Sequence, residues 1–263
     1  MKTKKIIKRH EIADPFRGCA NFDGPLYKEW KLARIAKLTQ IVGGTGWFEN
    51  KTVLELGAAH GHVGNDISRL GANVVIAEGR EENLRVAATN YPHLESYILN
   101  QETNWEEFFG DRVFDLIIHW GVLYHLENWE QDLKIALNYG RKICLESEVM
   151  DSDNPYLVGA RAEVGNDQSI SGWGSYPSWA TIERILSEND CDFTRYDDAD
   201  LNCGYHMYDW EGINQGFHAG MLQGPNLPAR ADRITMPRII GSGGQRRFWM
   251  IESFHPRNIK EEK

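Results

Sequence analysis

The chain has no apolar run long enough to serve as a secretory h-region or to span a membrane, so the expectation is a cytoplasmic protein without a membrane partner. Its four cysteines, Cys19, Cys144, Cys191 and Cys203, are dispersed and lack C-x-x-C spacing. That pattern fits reduced thiols and excludes a zinc knuckle or a disulfide frame. Positive charge is scarce: 29 Lys and Arg face 38 Asp and Glu, a net charge of −9, which argues against a broad phosphate-binding surface and disfavours nucleic acid as a partner. The one dense basic run, MKTKKIIKR, reads as a solvated terminus in preference to an RNA-binding arm. Internal repeats and low-complexity tracts are also lacking. What remains, 263 residues with 41% hydrophobic content, can bury one substantial core, so a one-domain α/β enzyme with an insertion fits better than two independent domains.

The stretch Lys51 to Glu78, KTVLELGAAHGHVGNDISRLGANVVIAE, is the most informative. Val53, Leu54 and Leu56 suit a buried parallel strand, and Gly57, Gly61 and Gly64 let the backbone turn sharply and approach a ligand. A second strand, Val74 to Ala77, ends at Glu78, an acid placed to accept hydrogen bonds from the two hydroxyls of a ribose. A dinucleotide-binding turn requires G-x-G-x-x-G, and Ala59 and His62 occupy two of its glycine positions. The pattern Glu55-x-Gly57-x-Ala59-x-Gly61 instead resembles the first motif of class I S-adenosylmethionine-dependent methyltransferases, with alanine at the middle glycine. By that resemblance Glu55 lies near the methionine end of the cofactor, the Gly57–Gly61 backbone packs against it, and Glu78 with Gly79 meets the ribose.

The block Phe114 to Leu126, FDLIIHWGVLYHL, reads as a third apolar strand over Phe114 to Ile118, with a break at Gly121 just past its carboxyl end, where ligands of open α/β sheets collect. It is similar to the fourth motif of the same family, in the branch containing small-molecule methyltransferases and enzymes that modify the tRNA wobble uridine. The resemblance implies a Rossmann-like, doubly wound α/β sheet of strand order 3-2-1-4-5-7-6 with strand 7 antiparallel, and S-adenosyl-L-methionine as cofactor. It further implies that Asn100 or Gln101, after a short strand Tyr97 to Leu99, reaches the adenine, and that Trp120 and its loop contact the cofactor and face the acceptor.

Around this core the chain divides into residues 1–46, a helical cap or lid; 47–195, the cofactor-binding core; 196–246, an acceptor-binding insertion rich in Gly, Pro, Asn and Asp; and 247–263, the final strand, Arg247 to Phe254, with a tail. Pro25 to Val42 approximates an amphipathic helix that either covers the cofactor or packs on the sheet. Gly64 to Leu70, Arg80 to Asn90 and Glu130 to Asn138 read as crossover helices, and Pro177-Ser178 opens a helix over Trp179 to Asn189 with Ser178 as N-cap. Cys144 sits in a core strand, Lys142 to Leu145, and Glu146 and Glu148 follow at its carboxyl end, where one of them can bind the acceptor.

His125 is the candidate general base, because imidazole titrates near neutrality; the competing reading is a loop-capping residue. Tyr124 and Trp120 either wall the transfer site or pack beneath the loop, and His119 reads as part of the strand. Aromatics from Trp173 through Tyr208 and Trp210 suit a flat or ring-shaped acceptor such as a sugar or aromatic metabolite, with Trp173, Tyr208, Trp210 and Glu146 as candidate contacts. His206, Asp209 and His218 match no metal-ligand spacing, so no metal is expected. The expected activity is methylation of an oxygen, less readily a nitrogen, of a small metabolite. Alternatives are a tRNA wobble-uridine modifier and a cofactor-binding subunit or sensor without catalysis; a homodimer is compatible with all three.

Overall fold

A computed structural model describes residues 22–103, 105–163, 168–203, 206, 208 and 246–253. Its centre is Thr52–Leu56 (β1), flanked in parallel by Asn73–Glu78 (β2) and Leu116–Trp120 (β4). A central parallel strand is covered on both faces, which is why Val53, Leu54 and Leu56 are apolar without alternation. Glu95–Ile98 (β3) extends the sheet beside β2, and Lys142–Glu148 (β5) beside β4. Val158–Ala162 (β6) and Trp173–Pro177 (β7) form a separate antiparallel hairpin. Asp192–Tyr196 (β8) forms the far edge, and Arg246–Glu252 (β9) inserts antiparallel between it and β5. The sheet order is β3-β2-β1-β4-β5-β9-β8. Counting sheet strands alone, this is the 3-2-1-4-5-7-6 order that the family resemblance implies.

Successive strand residues point to opposite faces, so the sheet sorts its apolar side chains into two cores. Val53, Ile76 and Ile118 face Pro25–Ile41 (α1), His62–Ser68 (α2) and Glu81–Asn90 (α3) through Leu38, Ile67 and Leu84. Leu54, Ile117 and Trp249 face Glu106–Phe109 (α4), Trp129–Tyr139 (α5) and Trp179–Glu188 (α6) through Phe109, Leu133 and Ile182. Helix α6 starts as the sequence predicts: the Ser178 hydroxyl accepts from Thr181 N at 3.0 Å. Cys144 and His119 both lie in buried strand positions; His119 Nε2 is 2.7 Å from Asp132 Oδ2, which ties β4 to α5.

Several boundaries differ from expectation by one to three residues, four of them near the site. Strand β5 runs three residues further, through Glu146 and Glu148, because β9 pairs with it from Lys142↔Glu252 to Glu148↔Arg246. Strand β4 starts at Leu116, since Phe114 bridges Gly140 outside the strand. Strand β3 runs Glu95–Ile98 in place of Tyr97 to Leu99, because it pairs with β2 from Val75↔Glu95 to Glu78↔Ile98. Helix α2 starts at His62, because Gly61 at φ 76° already makes the left-handed turn that ends β1's loop. The β6–β7 hairpin has no counterpart in the sequence reading. Helix α1 packs on the sheet, and its polar stripe is not all solvent-facing: Arg34 and Lys37 are buried. No described helix is long and apolar enough to cross a membrane.

Candidate functional site

The loop after β1 is shaped by three left-handed residues, Gly57, Ala59 and Gly61, at φ 64°, 48° and 76°. A Cβ on Gly57 would lie 2.1 Å from Val122 Cγ2, so the close approach of the β1 and β4 loops requires glycine there. Ala59 adopts a conformation that costs an L-residue roughly 1–2 kcal/mol. It is held there because its N–H donates to Glu78 Oε2 at 2.8 Å. The other oxygen, Glu78 Oε1, accepts from Arg80 N at 2.8 Å. Burial raises the Glu78 pKa against the lowering effect of these two donors.

A cavity of about 780 Å³ opens over the carboxyl ends of β1, β2, β4 and β5. Gly57, Ala59, Glu78 and Gly79 form one wall, with Asn100 and Gln101 beside them. Gln101 is nearly buried and its Nε2 has no hydrogen-bond partner, as is true of Trp30 Nε1 on the facing wall. Buried donors normally find a partner, so both point to a bound group. The start of α1 closes the cavity with Phe22, Tyr27 and Trp30; Tyr27 stacks on Trp30, which meets Trp120 edge-on. Asp23 fastens this segment to the glycine turn, 2.7 Å from His62 Nε2 and 3.1 Å from His60 Nδ1. The His62 contact, with help from His60, holds the Asp23 carboxyl below the usual range.

At the other end His125, in the 3₁₀ turn Leu123–His125, lies 2.5 Å through Nδ1 from Glu163 Oε2. Glu163 directly follows β6, is almost wholly buried, and also accepts from Ser169 N, Arg161 Nη2 and the Tyr176 hydroxyl. Burial pushes its pKa up, but the contacts from His125, Tyr176 and Arg161 outweigh this and hold it low. An ionised Glu163 can only accept, so Nδ1 carries the hydrogen, and in the neutral imidazole the free lone pair is then on Nε2. Gly174 permits this arrangement: a Cβ there would lie 2.6 Å from Tyr124 O and 2.7 Å from Glu163 Cδ.

Behind this wall, Glu146 is fully buried between Arg34 Nη2 at 3.1 Å and Arg246 Nη1 at 3.0 Å, and also accepts from the Tyr208 hydroxyl at 2.8 Å. Arg34 also contacts the Tyr208 hydroxyl and sits 4.0 Å from the centre of the Trp30 ring. Arg246 Nη2 donates to Tyr124 Oη at 2.8 Å, and burial pushes the Tyr124 hydroxyl pKa up, so it stays a protonated phenol.

Of the residues singled out from sequence, the cavity gathers Gly57, Ala59, Glu78, Gly79, Asn100, Gln101, Trp120, Tyr124 and His125. Glu55 and Gly61 are not on its wall. The Glu55 carboxylate lies behind the turn, accepting from Gly64 N at 2.7 Å, and burial raises its pKa to about 8. Glu146 is consumed by its arginines and lies off the wall; Glu148, two residues on, faces the cavity instead. Tyr208 is likewise buried away from it, and Trp173 is half exposed at the start of β7, outside it. Trp210, Asp209 and His218 lie outside the described residues. Sequence reasoning missed Arg34, Arg161, Glu163 and Arg246, which have no motif and meet only through the fold, and the pairing of Asp23 with His60 and His62.

No protein-family model matches the chain, and no curated protein is similar to it in sequence. Solved structures do resemble it. The N-terminal domain of EvdMO1 with SAH bound is 22% identical over 65% of this chain and 76% of that one, with a TM-score of 0.52. The plantazolicin methyltransferase BpumL, in complex with a triazolic desmethylPZN analog and SAH, is 14% identical over 89% of both chains, with a TM-score of 0.55. Likeness at this identity speaks for architecture, and it agrees with the sheet order, the glycine turn and the acid at the tip of β2: the chain has the Rossmann-like fold of class I S-adenosylmethionine-dependent methyltransferases.

Proposed function

We propose that the protein is an S-adenosylmethionine-dependent methyltransferase acting on an oxygen of a small molecule. The observation that carries this reading is the His125–Glu163 pair opening onto the same cavity as Glu78 and the unpartnered Gln101 amide. The wall residues fit an adenosyl group: Glu78 accepts from ribose hydroxyls, Gln101 offers Nε2 to a purine nitrogen, and the Gly57–Ala59 turn admits close backbone approach. When bound, the cofactor supplies a methyl group whose bond to sulfur breaks, with its electron pair left on sulfur, as the bond to the acceptor oxygen forms.

The residues of this chain then have three tasks. His125 Nε2 takes the proton from the acceptor hydroxyl, Glu163 fixes the tautomer and steadies the imidazolium, and Trp30, Trp120 and Tyr124 exclude water. A small acceptor is favoured because the segment 168–170 and the start of α1 roof the cavity from two sides, and because the chain is acidic. EvdMO1 has been solved in the presence of SAH and D-fucose, and BpumL with an azole-bearing compound; both are compatible with a ring-shaped acceptor here.

Isotope-labelled S-adenosylmethionine, incubated with the protein and with separate small-molecule, tRNA and protein fractions, tests the reading. The expected outcome is label in the small-molecule fraction, with His125→Gln lowering kcat by roughly 10²–10⁴-fold while SAH binding persists. Label confined to tRNA would move the protein to the wobble-uridine group. Tight binding without transfer to any fraction would make it a sensor.

A further inference from the structure

Three carboxylates, Glu146, Glu148 and Glu163, and three guanidiniums, Arg34, Arg161 and Arg246, cluster at and behind one end of the cavity, with Glu148, Arg161 and Arg246 on its wall. Two of the carboxylates are fully engaged, Glu146 by Arg34, Arg246 and Tyr208, and Glu163 by His125, Arg161, Tyr176 and Ser169 N. Glu148 is the exception. It is 6% exposed, it lines the cavity, and its carboxylate makes no hydrogen bond or ion pair with a described residue. Burial raises its pKa, and Arg246, Arg161 and His125 offset this only through space. A nearly buried carboxylate without a protein donor is costly, and one that opens onto a cavity is completed by what fills that cavity, water or ligand.

The charge balance narrows what that ligand offers. With a neutral, base-competent imidazole at His125, the three carboxylates and three guanidiniums cancel. An ammonium, though it could pair with Glu148, or a carboxylate brought into this desolvated end would leave the cluster with an uncancelled net charge, at a large cost. A hydroxyl supplies the missing donor without adding charge. His125 needs a hydroxyl of its own as the methylated group, and its ring lies close enough to Glu148 for an imidazolium formed there to act on the carboxylate.

Resting on the methyltransferase reading above, we infer that the acceptor is a neutral ring compound with two neighbouring hydroxyls, one delivered to His125 for methylation and the other donating to Glu148. The product is then a mono-methyl ether, and Glu148 decides which of the two oxygens is methylated.

Calorimetric titration of the SAH-loaded protein with matched probes tests this: catechol against phenol, cis-1,2-cyclohexanediol against cyclohexanol, and the anionic 3,4-dihydroxybenzoate as the charged control. The expected result is roughly tenfold or greater preference for each neutral diol over its mono-hydroxy partner, since a hydrogen bond to a charged group is worth that much. Glu148→Gln, with an unchanged melting curve and unchanged SAH affinity, should lose most of that preference while binding phenol and cyclohexanol as before. Glu148→Ala checks that any preference left in the glutamine variant comes from its side-chain carbonyl. No diol preference in the native protein, a preference that survives in both variants, or tighter binding of the anionic control overturns the inference while leaving the cofactor reading intact. Failure of SAH to bind, seen before any probe is added, overturns the cofactor reading and this inference with it.

Discussion

The two ends of the cavity are built in different ways. The end that fits the cofactor draws on three short stretches, Gly57–Ala59, Glu78–Gly79 and Asn100–Gln101, each close behind a parallel strand. Their geometry is largely backbone, set by left-handed residues and by N–H groups donated to Glu78. The acceptor end draws on α1, the turn after β4, β5, the hairpin and β9, and consists of side chains that meet only when all are packed. A cofactor site can therefore follow from topology, because parallel strands always present their carboxyl ends together. An acceptor site is free to vary, since no strand order dictates which side chains face one another.

Arg34→Met should separate the two ends most sharply. It leaves Glu146 with a single cation in a fully buried setting, and the expected loss is about 3–5 kcal/mol in chemical denaturation. A loss below about 1 kcal/mol would show that this network does not fasten α1 to the sheet. Next, Glu55 tests the cofactor end through pH. Its folded-state pKa of about 8 lies above the ordinary 4.5, so the folded protein keeps a proton that the unfolded chain releases. Stability from this group is full below pH 4.5 and declines as pH rises towards about 8. Glu55→Gln should remove that decline, and melting curves of both proteins across the interval will show whether it does.

Glu78→Ala should weaken SAH binding by roughly 10–100-fold with little change in kcat, the reverse of the pattern expected for His125. Equal losses of affinity in the two variants would erase the division between the ends. The smallest effect concerns Ala59. Ala59→Gly relieves the positive φ, and a gain of about 1 kcal/mol is expected, read as a raised melting temperature.

Legibility followed the same division. Glu78 was found from its place at a strand end, and Gly57, Ala59, Gly79, Asn100 and Gln101 through the family resemblance; all reach the cavity. His125 and Tyr124 were found from the loop after β4, but their partners were not: Glu163 lies 38 residues from His125 in a segment without strand periodicity, and Arg246 lies 122 residues from Tyr124. Glu55 shows a limit within the motif itself, since its position is readable but the direction of its side chain is not. Glu146 and Glu148 show the same limit more plainly. Both sit on one strand, two residues apart, and only the approach of Arg34 and Arg246 takes one out of play and leaves the other facing the cavity.

The sequence by itself determined the strands of the parallel core, the glycine turn and the acid at the tip of β2, because these depend on local backbone preferences and on apolar runs that neighbouring residues carry; the sheet order came from the family resemblance that those residues bear. The tertiary structure alone decided which acid faces the cavity, what orients His125, and that Arg34 belongs to the interior. Those outcomes depend on charge pairing between segments far apart in the chain, and a buried charge finds its partner by proximity in space, which spacing along the chain does not encode.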